Sequence, residues 1–166
     1  MAPVLTFTAE EVWTTLSGNA EDSVFLHLPY ELPAQGDETA LLERWTRIRE
    51  IRAAVQKRLE ELRVAGEIGS SLQGEVVVHA GAADAALLEP IGDDLRFVLI
   101  TSAASVKADA ALADGELRVD AHASPHGKCE RCWHYRQDMG ELHDHPGLCG
   151  RCVANLFGAG EPRRHA

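Results

Sequence analysis

The sequence predicts an α+β protein with an N-terminal helical segment containing one long helix, a small α+β junction domain and a C-terminal module organised by four cysteines. Three observations support this. Apolar side chains recur at three- and four-residue steps between residues 41 and 62, and beyond residue 67 the chain changes to short β-rich segments. All four cysteines lie within residues 129–152. We therefore place the domain boundaries at 1–66, 67–123 and 124–166.

The composition limits the class of protein. With 166 residues, of which 45% are hydrophobic, the chain can form one domain or two small ones rather than a large enzyme. It has no apolar run of about eighteen residues and no signal-peptide pattern at its start, so we expect no membrane partner. Thiols in metal-binding spacing suit a reducing compartment, which indicates a cytoplasmic protein.

A first helix is predicted close to the N-terminus. Thr8 and Glu11 match a capping box, in which the hydroxyl and the carboxylate each accept a hydrogen bond from a backbone N–H group. Phe7 and Val12 match the hydrophobic staple that accompanies such a start. Gly18 is predicted to end the helix after about Leu16, because glycine favours the position that follows a helix.

The long helix follows an irregular, proline-interrupted connection at residues 19–38. Arg52 falls within its apolar stripe, and Gly66 is predicted to form its C-terminal cap. The opposite face carries arginines among glutamates, which is typical of a solvated face, although the arginines can also contact phosphates. The stripe consists of Leu41, Trp45, Ile48, Val55, Leu59 and Leu62.

The junction domain is predicted to contain three strands and one helix. The strands are expected at residues 75–80, 95–101 and 116–121, and the alanine-rich segment 82–89 is expected to be helical. A unit of this size buries little apolar surface by itself. We therefore expect the long helix to cover its sheet.

The cysteines form two pairs, Cys129-x2-Cys132 and Cys149-x2-Cys152, with sixteen residues between the pairs. This spacing lets both thiolates of each pair reach one tetrahedral ion, so the pattern predicts a four-cysteine zinc finger with one structural Zn²⁺ per chain. A redox CxxC motif or a disulfide framework fits the context less well. Since four thiolates fill every coordination position, the predicted zinc is not catalytic.

Three nearby histidines are alternative metal ligands. The four sulfurs leave them no coordination position, and we interpret them as solvated loop residues. They are His134, His143 and His145.

The charge distribution separates the C-terminal module from the rest of the chain. The net charge of the whole chain is -10, and residues 1–123 hold ten Lys+Arg against twenty-one Asp+Glu. Residues 124–166 hold six against five, and they end in a basic tail, Pro162-Arg163-Arg164-His165. Basic residues beside the cysteines can attract phosphates, or they can only balance the thiolate charge.

Five segments, in this order, resemble the C-terminal region of bacterial isoleucyl-tRNA synthetase. The first resembles a motif of the helical anticodon-binding domain in the synthetases for isoleucine, valine, leucine and methionine, and the others narrow the resemblance to the isoleucine enzyme. The segments are FTAEEVW at 7–13, IGSSL at 68–72, LRFVLITS at 95–102, KCERCWHY at 128–135 and LCGRC at 148–152.

The resemblance implies the end of an anticodon-binding domain, a junction domain and a zinc finger that helps to hold isoleucine tRNA near its anticodon stem-loop. It assigns the four cysteines as zinc ligands, position for position. No HIGH or KMSKS motif occurs in the 166 residues, so isoleucine activation with ATP is expected only in the full-length enzyme. The chain is therefore expected to have no enzyme activity alone, and the catalytic and editing domains are expected partners.

Six residues of the module are candidate RNA contacts. Aromatic side chains can stack on unpaired bases and cationic ones can contact phosphates, although Trp133 can instead cover the zinc site. The six are Lys128, Arg131, Trp133, Tyr135, Arg136 and Arg151.

Two other functions remain open on the sequence alone. One is a freestanding zinc-ribbon protein that binds nucleic acid or a protein partner. The other is a redox or metal-relay protein that uses the thiols.

Overall fold

The computed structural model describes residues 2–34 and 36–161. The chain divides into two compact units, residues 1–38 and 39–166, so the long helix belongs with the junction sheet and the cysteine module. The predicted domain boundaries at 66 and 123 stay a prediction. The predicted basic tail at 162–165 lies outside the described residues.

The first unit contains helix α1, Thr6–Ser17, and a short 3-10 turn, Val24–Leu26. The predicted capping box is wrong, because the helix begins before Thr8 and has no side-chain cap. The predicted staple is also wrong, since Phe7 is 86% exposed. The predicted end is confirmed: Gly18 is left-handed, and its N–H donates to the carbonyl of Thr14.

Helix α2, Glu38–Val64, supplies the apolar layer under the sheet. From Ile48 onward the predicted stripe is confirmed, with Ile51 rather than Arg52 on the buried face. Leu41 and Trp45, at the start of the predicted stripe, are exposed. The helix ends as predicted at Gly66, which has φ +76°, and the N–H of Glu67 donates to the carbonyl of Leu62.

The junction sheet has three strands in the order β2-β1-β3. Strand β1, Gly74–Ala80, pairs in parallel with β2, Ala103–Ala108, and antiparallel with β3, Leu117–Ala123. Alternate residues of β1, including Val76 and Val78, are buried in the same core as the stripe of α2. Helix α2 therefore covers one face of the sheet, as predicted.

One predicted strand of the junction domain is wrong. The segment predicted as a strand begins with helix α4, Leu95–Leu99, and the second strand begins only at Ala103. Leu95 and Leu99 are one helical turn apart and are both buried, and Ile100 ends the helix with φ +59°. A short apolar run fits a helix and a strand equally well, so only its packing decides. The predicted helix is confirmed as α3, Ala82–Leu88.

The C-terminal module has two short strands and one helix. Strands β4, Gly127–Lys128, and β5, Tyr135–Arg136, form an antiparallel hairpin, and α5, Gly150–Phe157, follows the second cysteine pair. Among the described residues, no helix combines the length and the apolar character that crossing a membrane requires.

A partly buried ion pair connects α2 to the junction domain. Arg47 donates from Nε and Nη2 to both carboxylate oxygens of Asp84 on α3, over 2.8 and 2.7 Å. It also donates to the carbonyl of Gly115, in the turn before β3, over 3.1 Å. Hydrogen bonding to Arg47 lowers the pKa of Asp84 below its ordinary value, although burial opposes the shift. One guanidinium thus joins three segments of the unit.

We expect Asp84→Asn to lower the free energy of unfolding by about 1–3 kcal/mol, because it weakens a two-point, charge-assisted contact in a site where the aspartate is 5% exposed. The measurement is urea denaturation at pH 7. Since the pKa of Asp84 is lowered on folding, its contribution is present above its unfolded value of about 3.9 and declines as pH falls through the folded value. The variant and the parent chain should therefore converge at acid pH.

The control for this prediction is Glu60→Gln. Glu60 pairs with Arg63 on the solvated face of α2, and both side chains are more than half exposed. We expect no measurable change in stability at this position. A deficit in Asp84→Asn that is equal to the one in Glu60→Gln would contradict the assigned role of the Arg47–Asp84 pair.

Candidate metal centre

The four cysteine side chains converge on one point. Their Sγ atoms all lie within 4.8 Å of one another, and no other described residue belongs to this cluster. Cys129, Cys149 and Cys152 are buried, Cys132 is half-buried, and all four are free of disulfides. The two pairs that are sixteen residues apart in the sequence therefore form a single site.

The first pair lies in a tight hairpin, which we call the zinc hairpin (residues 127–136). Strands β4 and β5 bring its ends together, and two backbone hydrogen bonds close the turn between them. The N–H of Trp133 donates to the carbonyl of Cys129, and the N–H of Cys129 donates to the carbonyl of His134, each over 2.9 Å. Trp133 takes a left-handed conformation with φ +64°. This turn directs Cys129 and Cys132 to the same side.

The second pair spans the start of helix α5. Cys149 is the residue before the helix and Cys152 lies in its first turn, a spacing that sets both sulfurs on one side. The N–H of Cys149 donates to Sγ of Cys129 over 3.4 Å, which links the two pairs directly. The N–H of Gly150 donates to the carboxylate of Asp138 over 2.7 Å and so fixes the start of the helix.

The geometry of the sulfurs fits a tetrahedral zinc ion. With Zn–S bonds of about 2.3 Å, the edge of the tetrahedron is about 3.8 Å. The Sγ atoms of Cys132 and Cys149 are 3.8 Å apart. Four thiolates are also the softest donor set that a protein offers, and they favour zinc over magnesium or calcium.

The pKa values of the thiols show whether each position favours the neutral thiol or the charged thiolate. Burial raises the pKa of Cys149 to about 12 and also raises that of Cys132. Burial acts in the same direction on Cys129, but backbone N–H groups, the first of them from Cys132, outweigh it and lower its pKa to about 6. A divalent cation would let all four thiols ionise together.

Cationic side chains surround the sulfurs and offset their charge. Arg131 Nη1 donates to Sγ of Cys152 over 3.7 Å. Arg96 on α4 is 5% exposed, and burial lowers the pKa of its guanidinium to about 10. Repulsion by Arg136 and Arg151 lowers this pKa further, whereas Cys132 opposes the shift. Burial lowers the pKa of His134 as well, which favours a neutral imidazole in this basic environment.

The six predicted RNA-contact residues divide into two groups. Lys128, Arg131 and Trp133 are exposed on the zinc hairpin, with the ammonium of Lys128 lying 5.2 Å from the centre of the Trp133 ring. The hypothesis that Trp133 covers the site is wrong, since it is 59% exposed. Met139 and Leu148 pack against the cysteines instead.

The other group is engaged within the protein. Arg151 donates to both carboxylate oxygens of Glu161, over 2.6 and 2.7 Å, and its guanidinium lies over the ring of Phe97. Arg136 lies 3.8 Å from Asp138, and Tyr135 is half-buried in β5. These three residues present less of their surface than the first group.

Sequence reasoning missed three residues outside the module: Arg96, Phe97 and Ser102. Phe97 touches the ring of His134 in a T-shaped contact, and Ser102 accepts a hydrogen bond from the N–H of Tyr135 over 2.6 Å. The predicted strand across 95–101 concealed them, because a strand gives no reason to bring these side chains to the cysteines. The motif LRFVLITS was the only sequence signal that singled out this segment.

Comparison with known proteins gives two findings. Residues 127–155 match a family model described as the zinc finger found in FPG and IleRS. The whole chain is similar to the C-terminal part of bacterial proteins named isoleucine–tRNA ligase, with 61% identity to the one from Thiobacillus denitrificans, 56% to that from Nitrosomonas europaea and 55% to that from Bordetella parapertussis. These alignments cover 99–100% of this chain but only 17–18% of each relative. The cysteine cluster and the zinc-finger match together indicate a zinc site.

We expect one Zn²⁺ per chain in native mass spectrometry, and its loss in Cys149→Ser, because removing one thiolate opens a site that has no spare ligand among the described residues. The variant should also lose backbone order over residues 127–157, measured by amide exchange, since metal binding and folding of such modules are coupled.

The matched control is His143→Ala, which removes an exposed histidine that lies outside the sulfur cluster. This variant should retain its zinc. A parent chain that contains no metal and four alkylatable thiols would contradict the assignment, and zinc loss in His143→Ala would show that the ligand set is wrong.

Proposed function

We propose that this chain, which matches the C-terminal part of bacterial isoleucine–tRNA ligases over its whole length, acts as a tRNA-binding region of such a ligase. The observation that carries the proposal is the 61% identity over all 166 residues. The zinc-finger model that matches residues 127–155 covers both FPG and IleRS, so this match alone does not distinguish an FPG protein from a ligase. The similarity of residues 1–126 favours the ligase.

We propose that zinc has a purely structural role. Cys129, Cys132, Cys149 and Cys152 would hold one Zn²⁺, which supplies a cross-link between the zinc hairpin and α5. Four thiolate ligands leave no position for water or substrate. The chain's own contribution to the ligase is therefore binding and not a chemical step, and ATP is needed only by the full-length enzyme.

The zinc hairpin offers the surface that suits RNA. Trp133 presents an exposed aromatic face on which an unpaired base can stack, and such a stack contributes about 1–3 kcal/mol. Lys128 and Arg131 flank it and can contact phosphates. Phosphate contacts then fix the position of the tRNA, and the aromatic face accepts a nucleotide of its anticodon stem-loop.

In this proposal, three of the six candidate residues contribute indirectly: Tyr135, Arg136 and Arg151. Their side chains are half-buried, and Arg151 already has a carboxylate partner in Glu161. The cationic pair adds to the local positive potential beside the thiolates. We place the direct RNA contacts at Lys128, Arg131 and Trp133.

The remaining parts of the ligase are proposed as the second partner. The first unit exposes many large apolar side chains, which would suit packing against another part of the ligase. The chain spans only 17–18% of the relatives it matches, so a catalytic and an editing domain would belong to the same polypeptide, in the cytoplasm. The exposed side chains are Val4, Leu5, Phe7, Val12, Leu16, Phe25, Leu26, Leu28, Tyr30 and Leu32.

We expect this chain to bind isoleucine tRNA weakly, and the affinity to fall steeply with salt because phosphate contacts release counterions. Trp133→Ala should weaken binding by about fivefold or more at low salt, which corresponds to the loss of one stack. Fluorescence anisotropy with labelled tRNA gives both quantities.

Two controls accompany the tRNA measurement. Phe157→Ala removes another exposed aromatic side chain of the same module, 62% exposed on α5, and should bind as the parent does. The full-length ligase provides the reference affinity. Robust binding by that ligase together with no detectable binding by this chain at low salt would show that the region has only a structural role and does not bind RNA.

The size of the natural product separates the ligase from a freestanding zinc-ribbon protein. An antibody raised against residues 124–166 should detect a band far above 18.0 kDa in an extract of the natural host, since the matched relatives are several times longer. A single band at 18.0 kDa would overturn the proposal. Thiols that alkylate quickly in the zinc-loaded chain would instead favour the redox or metal-relay function.

A further inference from the structure

We propose that Phe97 and Ser102 are positioning residues that fix the orientation of the zinc hairpin on the junction sheet, and that tRNA binding depends on this orientation. The second half of the proposal rests on the proposed function, whereas the first half does not. Neither residue belongs to the cysteine module: Phe97 lies in α4 and Ser102 directly before β2.

Ser102 connects the hairpin to the start of the sheet. Its hydroxyl accepts from the N–H of Tyr135 over 2.6 Å and donates to the carbonyl of Leu72, and its own N–H donates to the carbonyl of Gly74 over 2.9 Å. The residue is fully buried. Because one hydroxyl acts as donor and acceptor at once, it sets the position of β5 relative to the sheet.

The connection after β3 is held at the same end of the sheet, on the other side of β1. The N–H of Ser124 donates to the carbonyl of Gln73 over 2.7 Å, so the three successive carbonyls of residues 72–74 all accept hydrogen bonds from residues 102 and 124. The chain that leads into the zinc hairpin is therefore held immediately beside the Ser102 contact. Two anchors at one end of the sheet restrict rotation more than either does alone.

Phe97 provides a third point of contact and reaches both halves of the module. Its ring centre lies 5.4 Å from that of His134, which follows the first cysteine pair, with the planes at 77°. The guanidinium of Arg151, between the two cysteines of the second pair, lies 4.8 Å from the Phe97 ring centre, and that of Arg96 lies 4.6 Å from it. The Phe97 ring thus contacts two cations and makes a T-shaped contact with a histidine.

The metal cluster cannot set this orientation by itself. The buried residues of the cluster and the apolar side chains packed on it all lie between residues 129 and 152, inside the module. Zinc would hold the module together, while Phe97 and Ser102 hold it to the sheet. The two tasks can therefore be separated by mutation.

Orientation matters because the proposed RNA contacts sit on the hairpin while the rest of the tRNA surface would belong to other parts of the ligase. A folded RNA is a rigid partner, and contacts that are held in place lose less entropy on binding. A hairpin that rotates freely on the sheet presents Lys128 and Trp133 in many directions. Binding then weakens although every contact residue is present.

The first test is amide exchange by NMR on the zinc-loaded chain, with Ser102→Ala and Phe97→Leu as variants. The Tyr135 amide, whose acceptor is Ser102, should exchange at least about tenfold faster in both. The amides of Cys129 and Trp133 should keep their protection and the zinc content should stay at that of the parent, because their bonds lie within the hairpin. Phe97→Tyr retains the aromatic face and should restore the slow exchange of Tyr135.

Two outcomes overturn the positioning of the hairpin. One is an unchanged Tyr135 amide in Phe97→Leu. The other is a joint loss of protection at Cys129, Trp133 and Tyr135 with release of zinc, which would mean that these residues only support folding. Phe157→Ala, in the same module, should leave all three amides as in the parent.

The second test measures the affinity for isoleucine tRNA and its salt dependence. Phe97→Leu should bind about tenfold more weakly, with a shallower dependence of log K on log salt, since phosphate contacts of the hairpin are lost. Phe97→Tyr should bind as the parent. Unchanged affinity in a variant whose Tyr135 amide is exposed overturns the dependence on orientation. A parent chain that binds no tRNA overturns the proposed function and this second half, while the exchange experiment still decides the first.

Discussion

Four sulfur atoms held within 4.8 Å of one another are the constraint on which the C-terminal module depends. Apart from the cysteines, only Met139 and Leu148 among the described residues pack against its buried centre, so the module has no apolar core of ordinary size. A unit this small does not bury enough apolar surface to offset the entropy of ordering its chain. A zinc ion bound by the four cysteines would join the hairpin to α5 and stabilise the module, and it would also allow thiols with raised pKa values, such as Cys149, to ionise.

The module also depends on charge from its neighbour. Arg96 comes from α4 in the junction domain, is almost completely buried and adds its charge to those of Arg136 and Arg151 near the sulfurs. Its lowered pKa shows that burying this one guanidinium, with two half-buried cations nearby, is unfavourable unless negative charge compensates it. Negative charge on Glu161 and Cys132 acts in the opposite direction and raises the pKa of Arg96 and Arg151, so the module and helix α4 interact favourably at this point.

These contacts indicate separate roles for the junction domain and the cysteine module. Helix α2 and the three-stranded sheet share one apolar core, and Arg47 locks the helix to α3 and to the turn at Gly115. The junction domain carries Phe97 and Ser102 on one side, where they contact the cysteine module. The module then leaves Trp133 and its cationic neighbours exposed at the hairpin. Such an arrangement suits a binding surface whose position is set by a scaffold and whose contacts lie on a turn.

The sequence by itself determined the local features: the two CxxC pairs, the apolar stripe of α2 from Ile48 onward, the glycine caps at Gly18 and Gly66, and the alternation of β1. Each depends on spacing along the chain, which is readable without a fold. The tertiary structure alone decided that residues 95–99 are helical, that Thr8 is not a cap, that Trp133 faces solvent and that Arg96, Phe97 and Ser102 meet the metal module. These features depend on which distant segments come together, because the same short apolar run or aromatic side chain is stable in more than one setting until its neighbours are fixed.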